Sequence, residues 1–416
     1  MEKIKSFFIN KNIVSNLYYP LVILGYVLTL FTSKMRPGVW ATLLMLLLIG
    51  VLILKKSFKP GSVCDYLVIA FFVYEFISVI WLKQGGFPLS VFASEFVASS
   101  LPMVFYFVGK TSGKKTGRWY MFYLYAMLIV GTLGAILYFS APQFYNDWSY
   151  AVGFISKANA QTTRVRMQSV VGSTSLSFIM VAGMLAASYF LGDFEGIKDD
   201  ADDSGSKMIK KRRMIFGTAC LFLCLLFAIL ANQRSGLVAA ALVIIYVNYL
   251  IFFQLNLIPR KYFIWEIAAV AAVFTVIGVI RFDFLLKYWY RLISLPTAIS
   301  QRSEQWVAAV NNMYSTWLGN GLGANGHKAI GIEGAHIIAD GGLVKLYCEN
   351  GVLGFSIWLY LLILTIGKGA KNIRHYYAEI GIIMVGLLQS IGSNMLAFQL
   401  CTPIFWFAVG RINEKD

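Results

Sequence analysis

The stretch that decides the fold is residues 214–253, MIFGTACLFLCLLFAILA-NQRS-GLVAAALVIIYVNYLIFF, in which one short polar turn separates two apolar runs. Each run is close to the roughly 20 residues that an α-helix needs to cross the hydrocarbon core of a bilayer. A helix also satisfies its own backbone hydrogen bonds, as a lipid environment requires. The stretch therefore predicts two membrane-spanning helices joined by a hairpin that contains Arg234.

The composition extends this prediction to the whole chain. Hydrophobic residues make up 58% of the 416 residues and charged residues only 13%, and the mean hydropathy is +0.67. A soluble chain of this length needs more charge to cover its surface. We therefore predict an all-α, polytopic membrane protein that forms a single membrane domain over residues 1–416, with about twelve transmembrane helices. The predicted spans are 15–32, 40–54, 66–82, 90–109, 119–139, 171–191, 214–231, 236–253, 263–280, 343–366, 376–395 and 398–410.

The basic residues orient these spans, because cytoplasmic loops carry the excess of Lys and Arg. Counted over the loops, the bias places both termini in the cytoplasm. The net charge of +16 then reflects topology and contact with acidic lipid, and no nucleic-acid partner is predicted. Three connections are long: a periplasmic loop at 140–170, a cytoplasmic loop at 192–213 and a large periplasmic loop at 281–342. The five cysteines fall in or beside spans and are predicted to pack as small apolar residues.

The large loop at 281–342 is predicted to contain short helices. Residues 281–295 alternate apolar and basic side chains, which suits a helix lying in the membrane interface. After Pro296, Ser300 is predicted to cap a second helix with Arg302 in its first turn. The predicted apolar face of that helix is Trp306, Val310, Met313 and Trp317. The remainder, up to Gly342, is rich in turn residues.

Several arginines lie on the predicted outer side, where positive charge is unusual. A guanidinium group binds phosphate oxygens through two parallel hydrogen bonds and stays charged when it is partly desolvated. A set of such groups at the membrane surface is suited to a lipid diphosphate. The candidate diphosphate-binding residues are Arg164, Arg166, Arg234, Arg291 and Arg302. For Arg291, in the interfacial helix, pairing with lipid headgroups or neighbouring acids is the alternative.

One histidine is a candidate catalytic base. His336 lies just before the tenth predicted span, and a neutral imidazole can accept the proton of an attacking sugar hydroxyl. Nearby arginines would keep it neutral. The alternative is a histidine that only stabilises its loop. Glu75 and Glu95 fall inside spans and are predicted to form structural pairs or to line a polar cavity. The acidic stretch at 199–203 has the composition of a solvated linker, so no metal site is predicted.

Four stretches of the chain form an ordered set: RVRMQSVVGST (164–174), NQRSGL (232–237), RSEQW (302–306) with WLGNGLG (317–323), and AH (335–336) with LYCENGVLG (346–354). Together they resemble the bacterial O-antigen ligase and polymerase superfamily. In that family an Arg-then-Gly-Ser segment opens a span, a Ser-Arg-Gly hairpin follows, an Arg-x-x-x-Trp pair precedes a Gly-x-Gly-Leu-Gly turn, and a His precedes Leu-x-x-Glu-x-Gly-x-x-Gly. The ligases usually have Asn after this His, where this chain has Ile337, and this difference favours the polymerase branch.

The resemblance implies a GT-C-like, metal-independent glycosyltransferase of the bacterial inner membrane, without a cofactor, whose active site faces the periplasm. His336, Arg234 and Arg302 would be its catalytic residues. The implied partners are undecaprenyl-diphosphate-linked oligosaccharides as donor and acceptor, membrane lipids and a chain-length regulator protein. A ligase acting on lipid A-core, a flippase or transporter of the same lipid, and a non-catalytic scaffold are the alternatives.

Overall fold

The computed structural model describes residues 11–32, 34–152, 166–191, 203–254, 259–261 and 295–414, with isolated residues between 263 and 293. The described residues form helices and connecting turns, and no β-strand occurs among them. The main helices are α1 (Lys11–Leu28), α2 (Pro37–Leu54), α3 (Val63–Gln84), α4 (Leu89–Lys110), α5 (Thr116–Ser140), α6 (Pro142–Ala151), α7 (Ser173–Ser188), α8 (Asp203–Ala231), α9 (Arg234–Gln254), α10 (Leu295–Asn311), α11 (Gly342–Lys371), α12 (Ile373–Gly392) and α13 (Thr402–Ile412).

The helices agree with a multi-pass membrane protein. Within the described part of the chain, seven are long and apolar enough to cross a membrane, namely α2, α3, α4, α5, α8, α9 and α11. The apolar part of α1, Ile13–Leu28, and helix α7 are shorter. A helix occupies each predicted span except the ninth, 263–280, most of which lies outside the described residues. The all-helical class is thus confirmed, while the number of twelve spans stays a prediction.

Two predicted loops contain helix. Helix α6 occupies part of the predicted loop at 140–170, and α8 begins at Asp203, inside the predicted loop at 192–213. Lys and Arg are good helix formers, and their long side chains let a membrane helix continue beyond the apolar region. Hydropathy alone therefore placed the start of α8 too late along the chain.

The predicted start of the helix that carries Arg302 is wrong. Helix α10 begins at Leu295 and includes Ser300, so Ser300 is not its cap and Arg302 is not in its first turn. The helix ends at Asn311, so the predicted apolar face is interrupted, and Trp317 is largely exposed.

The centre of the bundle is α7. Every residue from 175 to 188 is buried, because α5, α8, α9 and α12 all pack around this short helix. Small side chains allow close helix packing in membranes, and α4 and α13 approach most closely where each has a glycine. A Cβ atom on Gly410 would lie 1.9 Å from the carbonyl oxygen of Tyr106, and one on Gly109 would lie 2.1 Å from that of Phe407.

Helix α11 is broken at Gly351, whose φ of 59° and ψ of −171° are not helical. This conformation is essentially restricted to glycine. The freed backbone groups pair with the loop that precedes the helix. The amides of Val352 and Leu353 donate to the carbonyls of Thr316 and Trp317 at 2.9 and 3.1 Å. The break therefore fixes the loop at 316–326 against the interior of the bundle.

Candidate functional site

The site lies at one end of the bundle, where α7 and α9 begin and α12 ends. Gln233 lies just before α9, and its side-chain nitrogen Nε2 donates to the hydroxyls of Ser173 and Thr174 at 3.3 and 2.5 Å. Ser173 and Thr174 are the first two residues of α7. A Cβ on Gly392, the last residue of α12, would lie 3.6 Å from the Cβ of Ser235. The N-termini of α7 and α9 thus meet the C-terminus of α12.

Three of the predicted arginines share this end. Burial lowers the pKa of the Arg166 guanidinium, the positive charges of Arg234 and Arg302 lower it further, and the negative charge of Asp340 opposes them. The backbone brings their segments together: the amide of Met167 donates to the carbonyl of Leu230 at 2.9 Å, and a Cβ on Gly392 would lie within 3.8 Å of both Ser235 and Nη1 of Arg302. Arg166, Arg234 and Arg302 therefore come from three segments that meet at this end of the bundle, and we call them the arginine site.

Arg234 is held at the first residue of α9. Its Nε atom is buried and has no hydrogen-bond partner among the described residues. A buried donor without a partner is costly, and one that belongs to a charged group costs more. The N-terminus of a helix also carries partial positive charge and unpaired N–H groups. Both features favour an anion beside Arg234.

Arg302 reaches the site from α10. Its Nη2 atom lies 2.7 Å from Oδ2 of Asp340, and its Nη1 lies 3.5 Å from the carbonyl oxygen of Gly392. Both side chains of the ion pair are about one-third exposed. An exposed pair contributes little stability, roughly 0–1 kcal/mol, so an anionic ligand can compete with Asp340. In the ligand-free protein the acidic partner of Arg302 is therefore Asp340.

His336 lies on a non-helical segment, residues 336–340, whose carbonyl groups are held by buried or partly buried side chains. Asn325 donates its side-chain amide to the carbonyl of His336 at 2.6 Å. Asn394 donates to the carbonyls of Ile338 and Ala339 at 2.8 and 3.2 Å. Trp306 donates from Nε1 to the carbonyl of Asp340 at 2.7 Å. This segment therefore has a fixed backbone and carries Asp340 into the arginine site.

The imidazole of His336 is half-buried. In the part of the chain that the structure describes, no hydrogen bond joins its ring to Arg166, Arg234 or Arg302. Its role as a base thus stays a prediction. Arg164 and Arg291, the other two predicted diphosphate ligands, lie outside the described residues, as do most residues of the acidic stretch at 199–203.

The glycines of the turn at 317–323 are buried against the bundle and do not form an open cradle. Gly319 has a φ of 81°, and a Cβ there would lie 2.4 Å from the carbonyl oxygen of Glu349. The amides of Asn320 and Gly321 donate to the carbonyls of Cys348 and Glu349 at 2.8 and 3.0 Å. Irregular backbone inside a membrane protein is stable only when protein covers it. The glycines are therefore explained by packing.

A second polar cluster lies beneath this turn. Lys345 forms ion pairs with Glu95 and, at 3.1 Å, with Glu349. Together with Glu75 they line a cavity of about 30 Å³. The sequence analysis identified Glu75 and Glu95 as buried acids and quoted Glu349 within a motif, but it missed Lys345 and Asp340. The spacing of Lys345 and Glu349, four residues apart in an apolar span, was the available signal. Contact between α4 and α11 could not be read from the sequence.

Comparison with models of known protein families and with curated proteins gives no match for this chain.

Proposed function

We propose that this chain is a multi-pass membrane glycosyltransferase that joins oligosaccharide units carried on undecaprenyl diphosphate, the activity of O-antigen polymerases. It would have about twelve spans in a GT-C-like arrangement and act at the periplasmic face of the bacterial inner membrane. The observation that carries the proposal is the arginine site. Guanidinium groups from three segments repel one another unless an anion lies between them, and a diphosphate supplies enough oxygens for all of them.

The proposed reaction needs an anchored leaving group and one base. A hydroxyl oxygen of the acceptor forms a bond to the anomeric carbon of the donor. The bond from that carbon to the diphosphate oxygen breaks, and the lipid diphosphate leaves with the electron pair. Arg166, Arg234 and Arg302 stabilise its growing negative charge. His336 takes the proton of the attacking hydroxyl.

A test uses purified protein with a lipid-linked repeat unit, measuring polymer formation and binding of the diphosphate lipid separately. Removing one donor to a developing negative charge typically costs ~10²–10³ in rate. We expect losses of this order for Arg234→Ala and Arg302→Ala. Arg118→Ala is the control, because Arg118 is an exposed residue near the start of α5. Unchanged binding and polymer formation in both site variants would contradict the proposal.

The ligase alternative requires the same chemistry with another acceptor. Supplying lipid A-core as the sole acceptor separates the two, because only a ligase glycosylates it. The Ile337 side chain after His336 is the sequence feature that favours the polymerase.

A transporter of the lipid is the second candidate function, and one observation favours it. Charged residues buried within spans and a broken helix beside them are features of transporters, and Glu75, Glu95, Lys345 and the break at Gly351 have this arrangement. In vesicles, a transporter moves labelled lipid between leaflets without forming glycosidic bonds. New glycosidic bonds in the same vesicles are the result that the enzyme proposal requires.

A further inference from the structure

The cluster beneath the glycine turn has more negative than positive charge. Lys345 in α11 contacts two carboxylates, Glu95 of α4 and Glu349 of its own helix. Glu75 of α3 is the third acid at the same cavity. All four residues are buried, with exposed fractions of 1–7%. If every acid were ionised, three negative charges would face one positive charge in the interior of the bundle.

Glu75 is the member that lacks an ion pair. Its Oε2 atom is buried and has no hydrogen-bond partner among the described residues. An unpaired ionised carboxylate is very costly inside a protein or membrane, so such a group usually becomes neutral. The negative charges of Glu95 and Glu349 also oppose the ionisation of a third acid. The shared ammonium of Lys345 is already engaged by those two.

The cavity gives a proton on Glu75 a place to exchange. Its volume of about 30 Å³ exceeds the roughly 10–15 Å³ that one water molecule needs. Its lining is polar on several sides, with Ser99 and Asn394 beside the charged residues. Oδ1 of Asn394 is buried and has no hydrogen-bond partner within the described residues. A water molecule here would have the polar partners that buried water requires.

We propose that Glu75 is a proton-binding site inside the membrane domain, protonated at neutral pH and exchanging its proton through water in this cavity. Glu95, Glu349 and Lys345 then form a set of two negative charges and one positive charge. The groups that face Glu75 are Glu95 from α4 and Lys345 and Glu349 from α11. This inference goes beyond the proposed function and does not depend on it.

Infrared spectroscopy of the purified full-length protein in lipid nanodiscs tests the proposal without any substrate. A protonated carboxylic acid has a carbonyl stretch that an ionised carboxylate lacks. We expect the wild-type protein to show this carbonyl band, with a shift in heavy water, and the Glu75→Gln variant to lose it. Glu304 is an exposed acid of α10, and the Glu304→Gln variant should show the same carbonyl band as the wild type. Glu379 is another buried acid, so the difference between wild-type and variant spectra isolates Glu75.

Thermal unfolding gives a second measurement on the same proteins. Glutamine has the shape of a protonated glutamate and is neutral, so Glu75→Gln should keep the wild-type unfolding temperature. Glu95→Gln removes a charged partner of Lys345 and should lower it, because a buried ion pair loses one member. The proposal is wrong if Glu75→Gln leaves the carbonyl band unchanged. It is also wrong if Glu75→Gln lowers the unfolding temperature as much as Glu95→Gln does.

Discussion

Asn325 connects the segment that carries His336 with the ion cluster of Glu95, Lys345 and Glu349. Its backbone amide donates to Oε1 of Glu349 at 3.2 Å, and its side chain donates to the carbonyl of His336. Its Oδ1 accepts a hydrogen bond from Asn320 at 2.9 Å, and its carbonyl accepts one from Ile338 at 3.0 Å. A single buried residue therefore ties the His336 segment to the ion cluster below it.

We expect Asn325→Ser to lower kcat for polymer formation about 10-fold, at an unchanged KM for the donor lipid. The reason is that His336 loses the hydrogen bond that fixes its backbone, and small displacements of a catalytic group are costly. Asn312→Ser is the matched control, since Asn312 is exposed just after α10 and its side-chain amide donates to the carbonyl of Ala308. In a His336→Ala background the effect of Asn325→Ser should vanish. Additive effects would contradict the positioning role.

Arg166 offers a test of charge repulsion in the arginine site. Its lowered pKa means that the folded state binds this proton less tightly than the unfolded chain does, so the charged form opposes folding. Arg166→Gln should therefore keep or raise the unfolding temperature of the ligand-free protein. It should weaken binding of the diphosphate lipid about 10–100-fold, because a hydrogen bond to a charged group is worth roughly 1.5–3 kcal/mol. A less stable variant with unchanged binding would refute this explanation.

At the residue scale, the chemical role of a side chain could be predicted from the sequence better than the residue that it contacts. Arg234 and Arg302 were identified because positive charge is concentrated in cytoplasmic loops, so arginines on the outer side of a membrane protein indicate a function there. The Asp340 partner of Arg302 and the Lys345 partner of Glu95 were not identified. Both pairs join residues far apart in the chain, at 38 and 250 positions, and sequence spacing does not reveal such contacts.

At the scale of elements, apolar runs predicted helices well because a bilayer-length run allows few alternatives. The start of α10 and the break in α11 were missed. The first was missed because serine is common at helix N-caps, whereas Ser300 lies inside α10. The second depends on Gly351. A glycine in a helical sequence pattern is compatible with an unbroken helix, and only its tertiary contacts show that the helix breaks there.

The break at Gly351 can be tested by comparison with a second glycine of the same helix. A Cβ at Gly351 would lie 2.4 Å from the carbonyl oxygen of Trp317, whereas one at Gly367 would meet nothing within 4 Å. Gly351→Ala should destabilise the protein by at least about 1–3 kcal/mol, the cost of a strained backbone conformation. Gly367→Ala should be neutral or slightly stabilising. Equal thermal unfolding of the two variants would show that the break is not required.

At the scale of the whole molecule, the sequence predicts an orientation that the helices alone do not establish. We expect a single cysteine at Glu304, introduced into a cysteine-free background, to react with a membrane-impermeant reagent added outside intact inner-membrane spheroplasts. A cysteine at Lys114, near the start of α5, should react only after lysis. Reaction of both positions from the same side would overturn the orientation on which the periplasmic site depends.

A cryo-electron microscopy structure with undecaprenyl diphosphate can show whether the three arginines bind one diphosphate. We expect diphosphate density in contact with Arg166, Arg234 and Arg302, with Asp340 displaced from Arg302 or sharing it with the ligand. Diphosphate density at another place, with Arg302 still paired to Asp340 and no ligand beside Arg234, would show that the arginine site does not bind the donor lipid.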